Sequence, residues 1–212
     1  MRLDHLSYAA GPDGLDSTAR RLGALLGEDF VDGGLHPRFG TVNRVLPLAK
    51  NTYLEVVAVL DHPASDKAPF GQLVRRRSAL GGGWIAWVVS VDDISPVEQR
   101  LGRPSVPGNR HRPDGFDLRW RQLGARDLLT DPQLPMVVQW DVDPADHPSA
   151  GASGAVALSA LEIAGEPRRV ADWLGEPAVA ALGDLEVRWV APDGPPGVLS
   201  ASFSTPTGEV SI

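Results

Sequence analysis

A chain of 212 residues can bury a substantial core as one large or two small domains, and 42% apolar with 22% charged residues marks an ordinary globular protein. The net charge of −7 argues against nucleic acid and anionic membrane surfaces as partners. The chain has no cysteine, which excludes disulfides and thiolate chemistry and fits a reducing compartment. With no apolar run behind Met1–His5 and none near the ~18 residues of a membrane span, the expected location is cytoplasmic.

In chain order, residues 3–9 read as a strand with Leu3, His5 and Ser7 on one face. Gly11-Pro12-Asp13-Gly14 breaks it, and Asp16 or Ser17 is expected to cap a helix. That helix carries Ala19, Leu22, Leu25 and Leu26 as one stripe and ends at Gly27. Residues 31–59 hold a Gly33-Gly34 turn, His36 in a loop, a second turn at Gly40, and strands near 41–48 and 52–60. Residues 61–80 read as a loop and a short surface helix, closed by the joint Gly81-Gly82-Gly83. The pattern then restarts with a strand at 84–91. A capping box, Ser95-Pro96-Val97-Glu98, opens a helix that stops at Gly102. A shorter third unit keeps a strand near Val156–Ile163, a helix, and strands near 185–191 and 197–204.

Two internal echoes suggest duplication. A-R-R-L-G (19–23), E-Q-R-L-G (98–102) and A-D-W-L-G (171–175) match, and Gly102 lies 79 residues after Gly23. The same offset carries His5 to Trp84. L-D-H-P-A-S (60–65) and A-D-H-P-S-A (145–150) also match, which puts Gln139, or Trp140 across a bulge, in the place of Glu55. The expected fold is α+β, with tandem βαβββ units at 1–62 and 82–148 joined by 63–81, together a domain 1–150. A partial third unit, 151–212, is expected to pack on the second.

Glu55 is the residue that most needs explaining. It shares a strand face with Tyr53 and Val57, which are not solvent residues, and a carboxylate in an apolar run is costly unless it has a partner or ligand. Glu55 is therefore expected to point into an enclosed space. Arg119 and Arg121 share a face opposite Trp120. They hold a carboxylate if that face lines a cavity, and are edge charges if it faces out. His62 and His147, each between Asp and Pro after a strand, read as water-facing turn residues, His111 as part of a solvated loop, and Arg75-Arg76-Arg77 as a solvated helix face. The chain lacks G-x-S-x-G, H-E-x-x-H, a Walker lysine loop and G-x-G-x-x-G after a strand.

A strand opening D-H, a strand closing L-E, and their repetition resemble the vicinal oxygen chelate (glyoxalase/bleomycin resistance/dioxygenase) superfamily. More narrowly, G-G-x-H-x-x-x-G-T-x-N, Y-L-E, R-H-R-P-D-G-F-D-L-R-W-R (110–121) and L-P-M-V-V-Q-W (134–140) are similar to the glyoxalase-like domain family. The resemblance implies sheets curled around a cavity and metal ligands at the positions of His5, Glu55, Trp84 and Gln139. Only His5 and Glu55 are good ligands, so they are the expected metal pair, for a divalent ion, with His36 as a substitute third. The expected catalytic residues are Glu55 and His36, and the expected ligand-binding residues are Asn43, Trp84, Arg119, Arg121 and Gln139. One reading is a lyase, isomerase or dioxygenase acting on a substrate with vicinal oxygens. The other is a metal-free protein that sequesters a small ligand against Trp84, Trp87, Trp120 and Trp140. Superfamily members often dimerise, so the resemblance also raises a homodimer, although the tandem repeat can complete the cavity within one chain.

Overall fold

Strands are the commonest regular element among the described residues, and eight of them close on themselves. The computed structural model describes residues 1–177, 182–191 and 194–212. The first half runs β1 (Arg2–Ala9), α1 (Leu15–Leu26), β2 (Val31–His36), β3 (Thr41–Leu48) and β4 (Thr52–Val59). Two helices follow, α2 (Pro63–Lys67) and α3 (Pro69–Ala79). The next segment is β5 (Gly83–Ser90), α4 (Ser95–Leu101), β6 (Val106–His111), β7 (Asp117–Leu123) and β8 (Met136–Trp140). These strands form a closed barrel in the order β1-β4-β3-β2-β6-β7-β8-β5. The chain is thus α+β with strongly curled sheets. The joins are β1 to β5, a long antiparallel pairing, and β2 to β6, where Leu35 meets His111.

The C-terminal segment is β9 (Ala157–Ala164), α5 (Pro167–Leu174), β10 (Glu186–Val190), β11 (Gly197–Thr205) and β12 (Gly208–Ser211), a sheet in the order β10-β9-β11-β12. It covers the outer face of the barrel. Leu6, Leu54 and Trp87 from the barrel share one buried cluster with Leu161, Ile163, Trp173 and Phe203. Each such side chain contributes about 1.5–3 kcal/mol on burial. Indole N–H groups fix the docking: Trp84 donates to the Ile212 carbonyl (3.0 Å) and Trp173 to the Pro135 carbonyl (2.9 Å). Helix α3 closes one end of the barrel, where Phe70 and Val74 pack with Phe39, Ala9, Val57 and Ile85.

Local details differ from expectation. Gly33-Gly34 is not a turn but the middle of β2, and His36 is its last residue rather than a loop position. The glycines are there for close approach: a Cβ on Gly33 would stand 2.0 Å from the Asn43 amide oxygen, and one on Gly34 2.1 Å from the His111 carbonyl oxygen. Helix α1 is capped by Gly14 with no side-chain bond, not by Asp16 or Ser17. No capping box forms at Ser95, because the Glu98 carboxylate takes the Ser105 N–H (2.8 Å) while Asp93 accepts the Ser95 N–H (2.9 Å). His62 caps α2 by accepting the Ala64 N–H at 3.1 Å.

Candidate functional site

Strand register decides what the barrel encloses. Opposed residues share a face, so Ser7 facing Glu55 in β4 and Ala86 in β5 puts all three inside. Tyr53, opposite His5, follows on the same face, and Asn43 reaches Glu55 from β3. On the far wall Trp120 opposes Trp140 and Gln122 opposes Val138. The resulting cavity is lined by His5, His36, Asn43, Tyr53, Glu55 and Arg110 on its polar side. Its other lining residues are Phe39, Phe70, Trp120, Gln122, Met136, Val138 and Trp140. The cavity volume is about 40 Å³. That is room for a few waters or a small organic molecule.

Glu55, 5% exposed, has both carboxylate oxygens held. Ser7 donates its hydroxyl to Oε1 (2.6 Å) and Asn43 its amide to Oε2 (2.8 Å), while His5 Nε2 stands 3.9 Å from Oε1. Burial alone would raise this carboxyl, but the neighbouring His5 and His36 rings and the two hydrogen bonds outweigh it and hold it below the usual carboxylate range. Glu55 is a buried, oriented carboxylate whose pKa is lowered.

His5 is oriented from behind. Its Nδ1 is 2.8 Å from Asp4 Oδ2, and its ring stacks on Tyr53 at 4.3 Å between centroids. Asp4 is fully buried and also faces His147 Nε2 and the Trp140 indole N–H, both at 3.2 Å. Burial would raise the Asp4 carboxyl, yet hydrogen bonds from His147 and His5 hold it far below its ordinary value. His147 is therefore a buried member of this network, not a water-facing turn residue. Its position after Pro144–Asp146 swings it back over the barrel end.

His36 lines the cavity with Nδ1 2.9 Å from the Thr41 hydroxyl. Burial, partly offset by the attraction of Glu55, pushes it down to about 4, so it is neutral at pH 7. Trp120 meets the His36 edge at 5.9 Å and fills the space left by Gly108, where a Cβ would lie 2.3 Å from the indole.

Of the residues expected from sequence, the structure brings His5, His36, Asn43 and Glu55 into one cavity and sends four elsewhere. Trp84 pairs with Tyr8 on the outer face and is tied to Ile212, so Ala86 and Val88 take the inward positions on β5. Gln139 faces outward, accepting from the Ile94 N–H and from Arg121, both at 2.8 Å. Met136 stands opposite Val88, as Glu55 stands opposite Ser7. Arg119 pairs outside with Asp117 (2.9 Å), and Arg121 with Gln139, because the inward residue of that stretch is Trp120. Sequence reasoning placed Tyr53 on the face of Glu55 but missed Asp4, Arg110, Gln122 and His147. Arg110 alternates in register with Gly108, which faces Trp120, a signal readable only once the β6–β7 pairing is known.

These donors do not suit a metal ion. Among the described residues no group of three or more His, Cys, Asp or Glu is placed to hold one. The facing positions Ala86, Val88 and Met136 offer no hard ligand.

Comparison with solved structures shows the same fold in a hypothetical protein from Staphylococcus aureus. That match has a TM-score of 0.60 at 15% identity, over 82% of this chain and 74% of that one. Methylmalonyl-CoA epimerase from Mycobacterium tuberculosis matches more loosely, with a TM-score of 0.45 at 16% identity, over 66% of this chain and 86% of that one. No curated protein matches in sequence. The family model described as glyoxalase-like domain matches residues 3–178, and the chain belongs to that family.

Proposed function

We propose that the barrel binds a small molecule and that Glu55 moves a proton on it, an isomerase- or lyase-type reaction at a carbon made acidic by a neighbouring carbonyl. The observation that carries this reading is the buried, doubly hydrogen-bonded Glu55 carboxylate lining the cavity. A passive apolar pocket has no use for such a group, which costs free energy to bury. Glu55 accepts the proton, and Ser7 and Asn43 keep the carboxylate oriented. His36 is neutral, with one ring nitrogen on Thr41, which leaves the other free to polarise a substrate oxygen. Phe39, Phe70, Trp120 and Trp140 exclude water. The donor set does not fit a metal ion. On this reading the two strand–helix–three-strand halves are related by duplication, with acid–base chemistry kept in the first and aromatic walls supplied by the second. The chain closes its own barrel, so the cavity is complete without a second copy, and the lack of cysteine supports a cytoplasmic setting.

A second reading, a sequestering protein without chemistry, is favoured by the wall of Phe39, Phe70, Trp120, Met136 and Trp140. Solvent deuterium uptake separates the two. Small 2-substituted carbonyl compounds are incubated in deuterium oxide with wild type and Glu55→Gln and followed by proton NMR. Exchange at one carbon by wild type and not by the variant supports proton transfer. Binding without exchange by either protein supports sequestration.

A further inference from the structure

Arg110 is the one cavity cation that the chemistry above leaves idle. It sits on β6, 5% exposed, its stem laid over the bare backbone of Gly34, where a Cβ would stand 3.2 Å from Arg110 Cγ. Among the described residues its guanidinium has no hydrogen-bond or ion-pair partner, and its Nε is buried with none. A buried guanidinium is normally paired, because leaving it bare forfeits its hydration with nothing in return. The other inward-facing charges have partners: Asp4 holds His5 and His147, and Glu55 holds Ser7 and Asn43. Arg110 lines both the cavity and an outer groove with Gly33, Pro47, Arg112 and His147, so a ligand entering from that side meets it.

We infer that Arg110 is the anchor for the carboxylate of a small organic acid, held in the barrel with its remaining carbons against Trp120 and Trp140. The guanidinium fork matches a carboxylate through two parallel hydrogen bonds. One cation facing the ionised Glu55 suits a singly charged group and disfavours a phosphate dianion. The inference rests on the proposed function, for it makes the molecule on which Glu55 acts a carboxylic acid, but it stands on separate atoms.

The test is binding, read by calorimetry and by thermal shift, with propionate, neutral propionamide and inorganic phosphate as probes on wild type, Arg110→Met and Arg110→Gln. Propionate is expected to bind and stabilise wild type at millimolar concentration and to weaken by about tenfold or more in both variants, with propionamide and phosphate inert. Without ligand, Arg110→Met is expected to melt no lower than wild type, since it removes an unpaired buried charge. Equal propionate binding by wild type and variants, binding of propionamide or phosphate as tightly as propionate, or no propionate binding at tens of millimolar would overturn the assignment. Failure of both variants to fold would overturn it as well, showing Arg110 to be structural. Glu55→Gln separates the two ideas: propionate binding that survives there while no exchange is found in wild type sinks the proton-transfer reading and leaves the anchor standing.

Discussion

Asp4→Asn tests whether the buried network behind His5 supports the barrel. Asp4 is fully buried and accepts from His5 at 2.8 Å and from His147 and Trp140 at 3.2 Å, with Arg2 3.4 Å away. An asparagine keeps the shape but has one acceptor oxygen, so its NH2 faces at least one of these donors and leaves it unsatisfied. An unpaired buried donor costs about 1–3 kcal/mol, and breaking a buried charge pair about 3–5 kcal/mol. The expected loss is about 3 kcal/mol at pH 7. At about 2–4 °C per kcal/mol for a chain of this size, that is a fall in Tm of about 6–12 °C by calorimetry. The sign against pH follows from the depressed Asp4 carboxyl. Its contribution is present above the unfolded value near 3.8 and is lost as pH falls toward the folded one, so wild type and variant converge in acid. A variant within about 0.5 kcal/mol of wild type at pH 7, or a gap that widens below pH 4, would refute the reasoning.

His36, neutral down to about 4, should destabilise the protein as pH falls from 6.5 to 4, because the unfolded chain takes up a proton the folded one refuses. His36→Phe should flatten that part of the urea-midpoint profile. Gly33→Ala drives a Cβ to 2.0 Å from the Asn43 amide oxygen, so it should displace Asn43 from Glu55, cost about 1–3 kcal/mol and depress proton exchange more than a surface mutation of equal cost. Arg119→Gln and Arg121→Gln should change stability by less than about 1 kcal/mol and leave propionate binding unaltered, since both side chains lie outside the barrel.

The strand that carries Glu55 was legible because Thr52–Val59 is an apolar run around one acid, and the family resemblance supplied the cavity. The second half was harder to read. Counting from the helix echo put Trp84 where His5 should be, but β1 and β5 pair antiparallel with irregularities beside His5 and Tyr8, and the register turns Trp84 outward. The same one-residue sensitivity misplaced Gln139, whose neighbours Val138 and Trp140 face in. β2 hid behind two glycines that read as a turn, although they are needed for close approach to Asn43 and His111. Arg110 was lost among Arg112, His111 and Arg119, because nothing local distinguishes a buried arginine from solvated ones.

The proposed chemistry needs Glu55 to be an ionised base inside the barrel, and its carboxyl carbon reports this directly. A carbon-13 NMR titration, with Glu55→Gln used to assign the signal, should show that carboxyl titrating below 4.5 and responding when a ligand enters the cavity. A Glu55 signal that titrates above 4.5, or stays unmoved by any ligand that binds, would contradict it.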